Sequence, residues 1–154
     1  MRFRLLVGCA AAGVLALAGC ASPVRDDAGQ VTASASMDVF SLKVGDCTDN
    51  LGEGEVSAAT VVPCGQPHYW EAYSSSELSG DDYPGVTQVT EQADKLCTDA
   101  FKAFVGVSTD KSDYTYTYFY PTEQTWTSTA DREVLCFVGL EDGGVTGTLK
   151  DAKK

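Results

Sequence analysis

The chain has 154 residues, 44% of them hydrophobic, and 22 acidic against 11 basic side chains, a formal net charge of −11. That length allows one domain with its own core. That charge argues against attraction to nucleic acid or to an anionic membrane surface.

Arg2 and Arg4 precede an uncharged stretch from Leu5 to Ala18, which ends in Leu17-Ala18-Gly19-Cys20. A basic start, a short apolar run and small residues before a cleavage point make a secretory signal peptide. The run is about 14 residues, short of the ~20 that span a bilayer as a helix. The cysteine makes it a bacterial lipobox, in which the thiol takes a diacylglyceryl group and becomes the new N-terminus. We therefore expect residues 1–19 to be removed, Cys20 to be lipidated, and the acyl chains to hold the protein on the extracytoplasmic side of the cell membrane. Stable anchoring takes more than one chain, at ~0.8 kcal/mol per buried methylene. A retained signal anchor is the alternative. Processing would leave nine basic residues against 22 acidic, a net −13, so lipid and not charge would make the attachment.

Cys47, Cys64, Cys97 and Cys136 remain. An exported chain with an even count fits two disulfides, with three pairings open. No Cys-x-x-Cys exists, so neither a zinc site nor a thioredoxin-like redox motif is expected.

Residues 20–38 are rich in Ala, Ser, Asp and Gly and read as a flexible tether. The domain is expected over 39–150. Phe40, Leu42 and Val44 alternate with polar residues as an extended segment. Asp49 to Glu55 is an acidic turn without the ligand spacing of an EF-hand. Val56 to Val62 is β-branched and reads as a strand. A hairpin of these two segments brings Cys47 near Cys64. His68 to Ser74 reads as a further strand, and Pro84-Gly85 as a turn.

Thr87 to Phe104 carries Val89, Ala93, Leu96, Cys97, Ala100, Phe101 and Phe104 on one helical face, with Glu91 and Lys95 as an i,i+4 pair and Gly106 as the stop. Tyr114 to Tyr120 alternates as a strand, with Tyr114, Tyr116, Tyr118 and Tyr120 on one face and Thr115, Thr117 and Phe119 on the other. Pro121-Thr122-Glu123 opens a bend. Val134 to Leu140 is an apolar strand, and a helix packed on it brings Cys97 to Cys136. Local geometry thus favours Cys47–Cys64 and Cys97–Cys136. Thr146 to Lys150 could form a last edge strand, and residues 151–154 a frayed polar tail. The expected class is α+β, a small antiparallel sheet with one main helix on a face and two disulfides.

Several pieces recur in order: Gly45-Asp46-Cys47, Val62-Pro63-Cys64 with Pro67-His68 and Glu71, Tyr83-Pro84-Gly85, Cys97 with Phe101 and Phe104, Pro121, Trp126, Asp131-Arg132, Cys136, and Thr146-Gly147-Thr148-Leu149. Over about residues 42–150 this resembles the septum-formation family of actinobacterial envelope proteins. The family pattern commonly has Gly before Asp-Arg, where this chain has Ala130. The resemblance implies a link to cell division and no particular reaction.

His68 is the only histidine. It and Arg132 are the candidate ligand contacts, the guanidinium because it forks onto carboxylates. The bland alternatives are a turn-capping histidine and an Arg132 paired with a neighbouring acid. The tyrosine face of Tyr114, Tyr116, Tyr118 and Tyr120 is the candidate partner surface, because tyrosine is enriched at interfaces; core packing is its bland alternative. No cofactor, metal ligand or catalytic residue is expected, and no nucleic acid. The function expected is a non-catalytic interaction module, with the membrane through Cys20 and an envelope or division protein as partners. The alternatives are a solute-binding lipoprotein, for which so small a domain leaves little room for a deep cleft, and a cell-wall hydrolase or transferase.

Overall fold

Glu133 to Gly139 alternates large side chains about a strand axis, and that alternation divides the molecule. Val134, Cys136 and Val138 face one core; Leu135 and Phe137 face another. The computed structural model describes residues 25–52 and 54–154. The expected signal peptide over residues 1–19 and the expected lipidation site Cys20 lie outside the described residues.

Six strands form one curled antiparallel sheet: β1 (Ala35–Asp38), β2 (Cys47–Thr48), β3 (Ala58–Val62), β4 (Trp70–Glu77), β5 (Thr115–Phe119) and β6 (Glu133–Gly139). Their order is β1-β3-β2-β4-β6-β5, so β1 and β5 are the edges. The helix α1 (Val86–Val105) covers the convex face; the short α2 (Glu123–Ser128) follows β5.

Helix α1 buries Val89, Ala93, Cys97, Phe101 and Val105, a stripe at helical spacing. It ends at Gly106, whose φ of 94° suits glycine and whose amide returns to the Lys102 carbonyl. Lys95 pairs with Asp99, not with the expected Glu91. A bulge between Ala72 and Ser74 shifts the register of β4 against β6. Tyr73, within it, packs with the helix-side core, and its hydroxyl donates to the Cys97 carbonyl. The second core lies inside the curl, where Val31, Leu42, Ala59 and Val61 meet Trp70, Ala72, Leu135 and Phe137.

Both disulfides form as expected. Cys47–Cys64 joins β2 to the segment just after β3, and Cys97–Cys136 joins α1 to β6.

Three expectations need correction. The tether expected over 20–38 is folded from Arg25 onward: Arg25 grips the buried Asp46 carboxylate with two guanidinium nitrogens, and Ala35 to Asp38 pairs with β3 as an edge strand. The alternation of Phe40, Leu42 and Val44 is not a strand. Val39 to Ser41 is a 3-10 turn, with Leu42 buried and Phe40 and Val44 left 61% and 50% exposed. The C-terminal residues form no edge strand and do not fray. The Asp151 and Lys153 amides bond the Phe104 and Val105 carbonyls, satisfying the end of α1.

Candidate functional site

The two single-residue candidates are committed inside the fold. His68 is buried and exchanges backbone hydrogen bonds with Val145, while its Nδ1 lies 2.9 Å from the Gln66 carbonyl and its Nε2 has no partner among the described residues. Glu71, also buried, accepts from the Thr148 hydroxyl and the Leu149 amide. His68 and Glu71 therefore do not form a pair; each fastens part of the C-terminal segment.

Arg132 does not pair with an acid. Its guanidinium sits 3.6 Å from the Trp126 ring centroid and donates to the carbonyls of Gly80, Asp81, Trp126 and Asp131. The Trp126 indole donates to Asp81 as well, and Tyr83 meets that ring edge-on. Asp131-Arg132 is thus a clamp on the loop before α1. It offers no free fork to a ligand.

The tyrosine row faces the helix. Tyr116 donates to Asp94 at 2.6 Å, Tyr118 reaches the Thr90 carbonyl, and Tyr114, Tyr116 and Tyr118 pack against the helix-side core. Burial comes first in pushing the Tyr116 and Tyr118 phenols above their usual range. Only Tyr120 of the four is exposed, at 37%.

A groove of about 1360 Å³ runs past β5 and is lined from both faces of the sheet, with Tyr83, Val86 and Tyr118 contributing from the helix side. Trp70, Leu135 and Phe119 line it from the other face, and residues 50–52 and 54–57, Tyr120, Thr122, Gln124 and Thr125 border it. Glu55, Asp131, Glu133 and Glu141 line it, with no Lys, Arg or His among the described residues there. The space exceeds what the size of the domain led us to expect. The groove escaped sequence reading because its four carboxylates are spread from Glu55 to Glu141 and form no local pattern. The one available signal was the second face of β5, Thr115, Thr117 and Phe119. Among the described residues no three His, Cys, Asp or Glu come together as a metal-holding group, and no helix is long and apolar enough to cross a membrane.

Architecture and crosslinks define a disulfide-stapled α+β domain, a curled antiparallel sheet with one helix on its convex face. The chain belongs to the septum-formation family, whose sequence profile, described as "Septum formation", matches residues 21–153. It is also 27% identical over 116 residues to a Mycobacterium tuberculosis protein named "Putative lipoprotein LppN", and equally to its Mycobacterium bovis counterpart. Those matches cover 72% of this chain and 63% of each relative, so the chain spans less than two thirds of the relatives' length. No solved structure matches the chain.

Proposed function

We propose that this protein is an extracytoplasmic lipoprotein, anchored through Cys20, whose domain serves septum formation or a related envelope process by binding and not by catalysis. The groove is the observation that carries the binding reading. It is broad, open and aromatic along its floor, as a polypeptide-binding surface is. His68 is buried with its Nδ1 beside the Gln66 carbonyl, and Arg132 gives four hydrogen bonds to backbone carbonyls. Family membership supports the septal process, and the lipobox together with the name of the mycobacterial relatives supports the anchor.

The fold also limits the reach of such an anchor. Arg25 is pinned to Asp46 only five residues after Cys20. Five residues extend at most about 18 Å, so the domain would stand close to the bilayer.

Cys20→Ala tests the anchor. The protein should move from the membrane fraction to the soluble one, and unchanged retention would overturn lipid attachment. A fluorescent fusion of the lipidated chain tests the process. Enrichment at the septum of dividing cells is expected, and an even distribution around the envelope would remove the septal assignment.

A further inference from the structure

We infer that the groove is a strand-addition site for an extended cationic segment of a partner polypeptide, seated along the free edge of β5. The inference deepens the binding reading above and rests on it.

Size is the first argument. Small-molecule pockets hold roughly 300–1,000 Å³; this open trough is about 1360 Å³. That volume leaves room for a peptide-sized occupant.

The second argument is the edge. β5 pairs with β6 on one side and, among the described residues, with no strand on the other. Natural edge strands are usually blunted by charge, proline, a bulge or a covering element. Thr115 to Phe119 has no charged residue and no proline, and its five-residue register with β6 is unbroken. Such an edge can accept another strand through main-chain hydrogen bonds. Thr117, Tyr118 and Phe119 of this strand also line the groove, so an added strand would lie in it.

Charge complementarity selects the occupant. Glu55, Asp131, Glu133 and Glu141 line the groove, with no basic side chain among its described lining residues. The described ion pairs, Arg25–Asp46 and Lys95–Asp99, both lie elsewhere. Glu133 also stands directly opposite Glu77 in the β4–β6 register, and like charges in that position repel. A partner strand with Lys or Arg at alternate positions puts every cation on one face. Their aliphatic stems would lie over Phe119, on β5 itself, while their charged ends reach the carboxylates.

The test uses the full chain in neutral phosphatidylcholine nanodiscs and a capped seven-residue peptide of alternating lysine and valine, followed by fluorescence anisotropy. Saturable binding is expected, weakened about tenfold by Glu55→Gln with Glu133→Gln and by raised salt. Glutamine keeps the acceptor that Ser75 uses on Glu133, and a thermal melt checks that the variant is folded. N-methylating one alternate set of peptide nitrogens should abolish binding, and methylating the other set should not. Equal binding by a glutamate–valine peptide, indifference to the glutamine substitutions, or equal tolerance of both methylation patterns would overturn the proposal. So would a dimer of the chain that excludes the peptide, since the occupant would then be a second copy. None of these readouts depends on Cys20, so failure here is separate from failure of the anchor.

Discussion

The Glu71 carboxylate receives the Leu149 amide at 2.6 Å and the Thr148 hydroxyl at 2.7 Å, fastening the C-terminal segment to the middle of the sheet. Beside it, the Gly147 amide bonds the Cys64 carbonyl, and Val145 exchanges backbone bonds with His68. Leu149 is thereby held in the helix-side core. A buried carboxylate is tolerated only when its oxygens are satisfied, and here the chain's own tail does so. Glu71→Ala leaves the Leu149 amide without its acceptor and should cost roughly 3 kcal/mol, the range for a charged hydrogen bond plus a stranded donor. Glu71→Gln keeps an acceptor and should cost less. Urea unfolding measures both, and amide exchange at Leu149 should speed up most in the alanine variant.

Ala130 has φ of 54°, in the left-handed region that glycine enters freely and alanine does not. This is the position where the family pattern commonly has glycine, so the departure noted in the sequence has a conformational cost. Ala130→Gly should stabilise the fold by about 0.5–1 kcal/mol, the relief of strain being partly offset by the greater freedom of glycine in the unfolded chain. A higher urea midpoint with an unchanged slope is the expected result. No gain would mean that the Arg132 clamp beside it, and not the backbone, sets this turn.

Elements with local periodicity were legible: the α1 stripe, the alternation of β5 and β6, and the β-branched β3. Cys97–Cys136 followed from the packing of α1 on β6, whereas Cys47–Cys64 formed although the Phe40–Val44 segment expected to lead Cys47 into the hairpin is no strand; only Cys47 and Thr48 of that stretch pair with β3. Edge strand β1 was not legible, because Ala35-Ser36-Met37-Asp38 has little strand propensity and is held by pairing with β3. The tyrosine alternation fixed which residues share a face of β5 but not which face meets the helix. The groove brings together residues from Val39 to Glu141. Nothing local in the chain announces it.

The two disulfides should differ in what they contribute. Cys97–Cys136 spans 39 residues of sequence and Cys47–Cys64 spans 17. The chain-entropy treatment gives about 4 and about 3 kcal/mol. Cys97 and Cys136 are both fully buried, whereas in the other pair Cys47 is buried and Cys64 only half-buried, so replacing the first pair by alanine adds the larger packing loss. The Cys97→Ala/Cys136→Ala double variant should unfold at distinctly lower urea than Cys47→Ala/Cys64→Ala. The reverse order would show that the β2–β3 corner, not the helix contact, limits stability.

Arg25 holds Asp46 with both terminal nitrogens, and Asp46 also accepts the Lys43 amide. The carboxylate is 2% exposed, so removing its cation leaves a buried charge without its ionic partner. Arg25→Ala should cost roughly 3 kcal/mol and free the residues before β1. Limited proteolysis should then cut between 25 and 34 faster than in the parent protein. Arg25→Lys, which lacks the bidentate fork, should recover only part of the loss.

Tyr73 lies in the helix-side core with its hydroxyl 2.7 Å from the Cys97 carbonyl. Burial, ahead of the nearby Tyr116 and Asp94, pushes its phenol far above the usual range. In the unfolded chain a tyrosine ionises near pH ~10. A raised native value means that the unfolded state loses its proton first. The stabilisation is therefore complete below about pH 10 and declines as pH rises from there through the native value. Phenolate absorbance should show one of the seven tyrosines silent until the protein unfolds. Tyr73→Phe removes the hydrogen bond, at about 1 kcal/mol near neutrality, and should make the fall of stability above pH ~10 shallower by one proton. An unchanged slope would assign the alkaline sensitivity to the partly buried Tyr116 and Tyr118, whose phenols burial also pushes up.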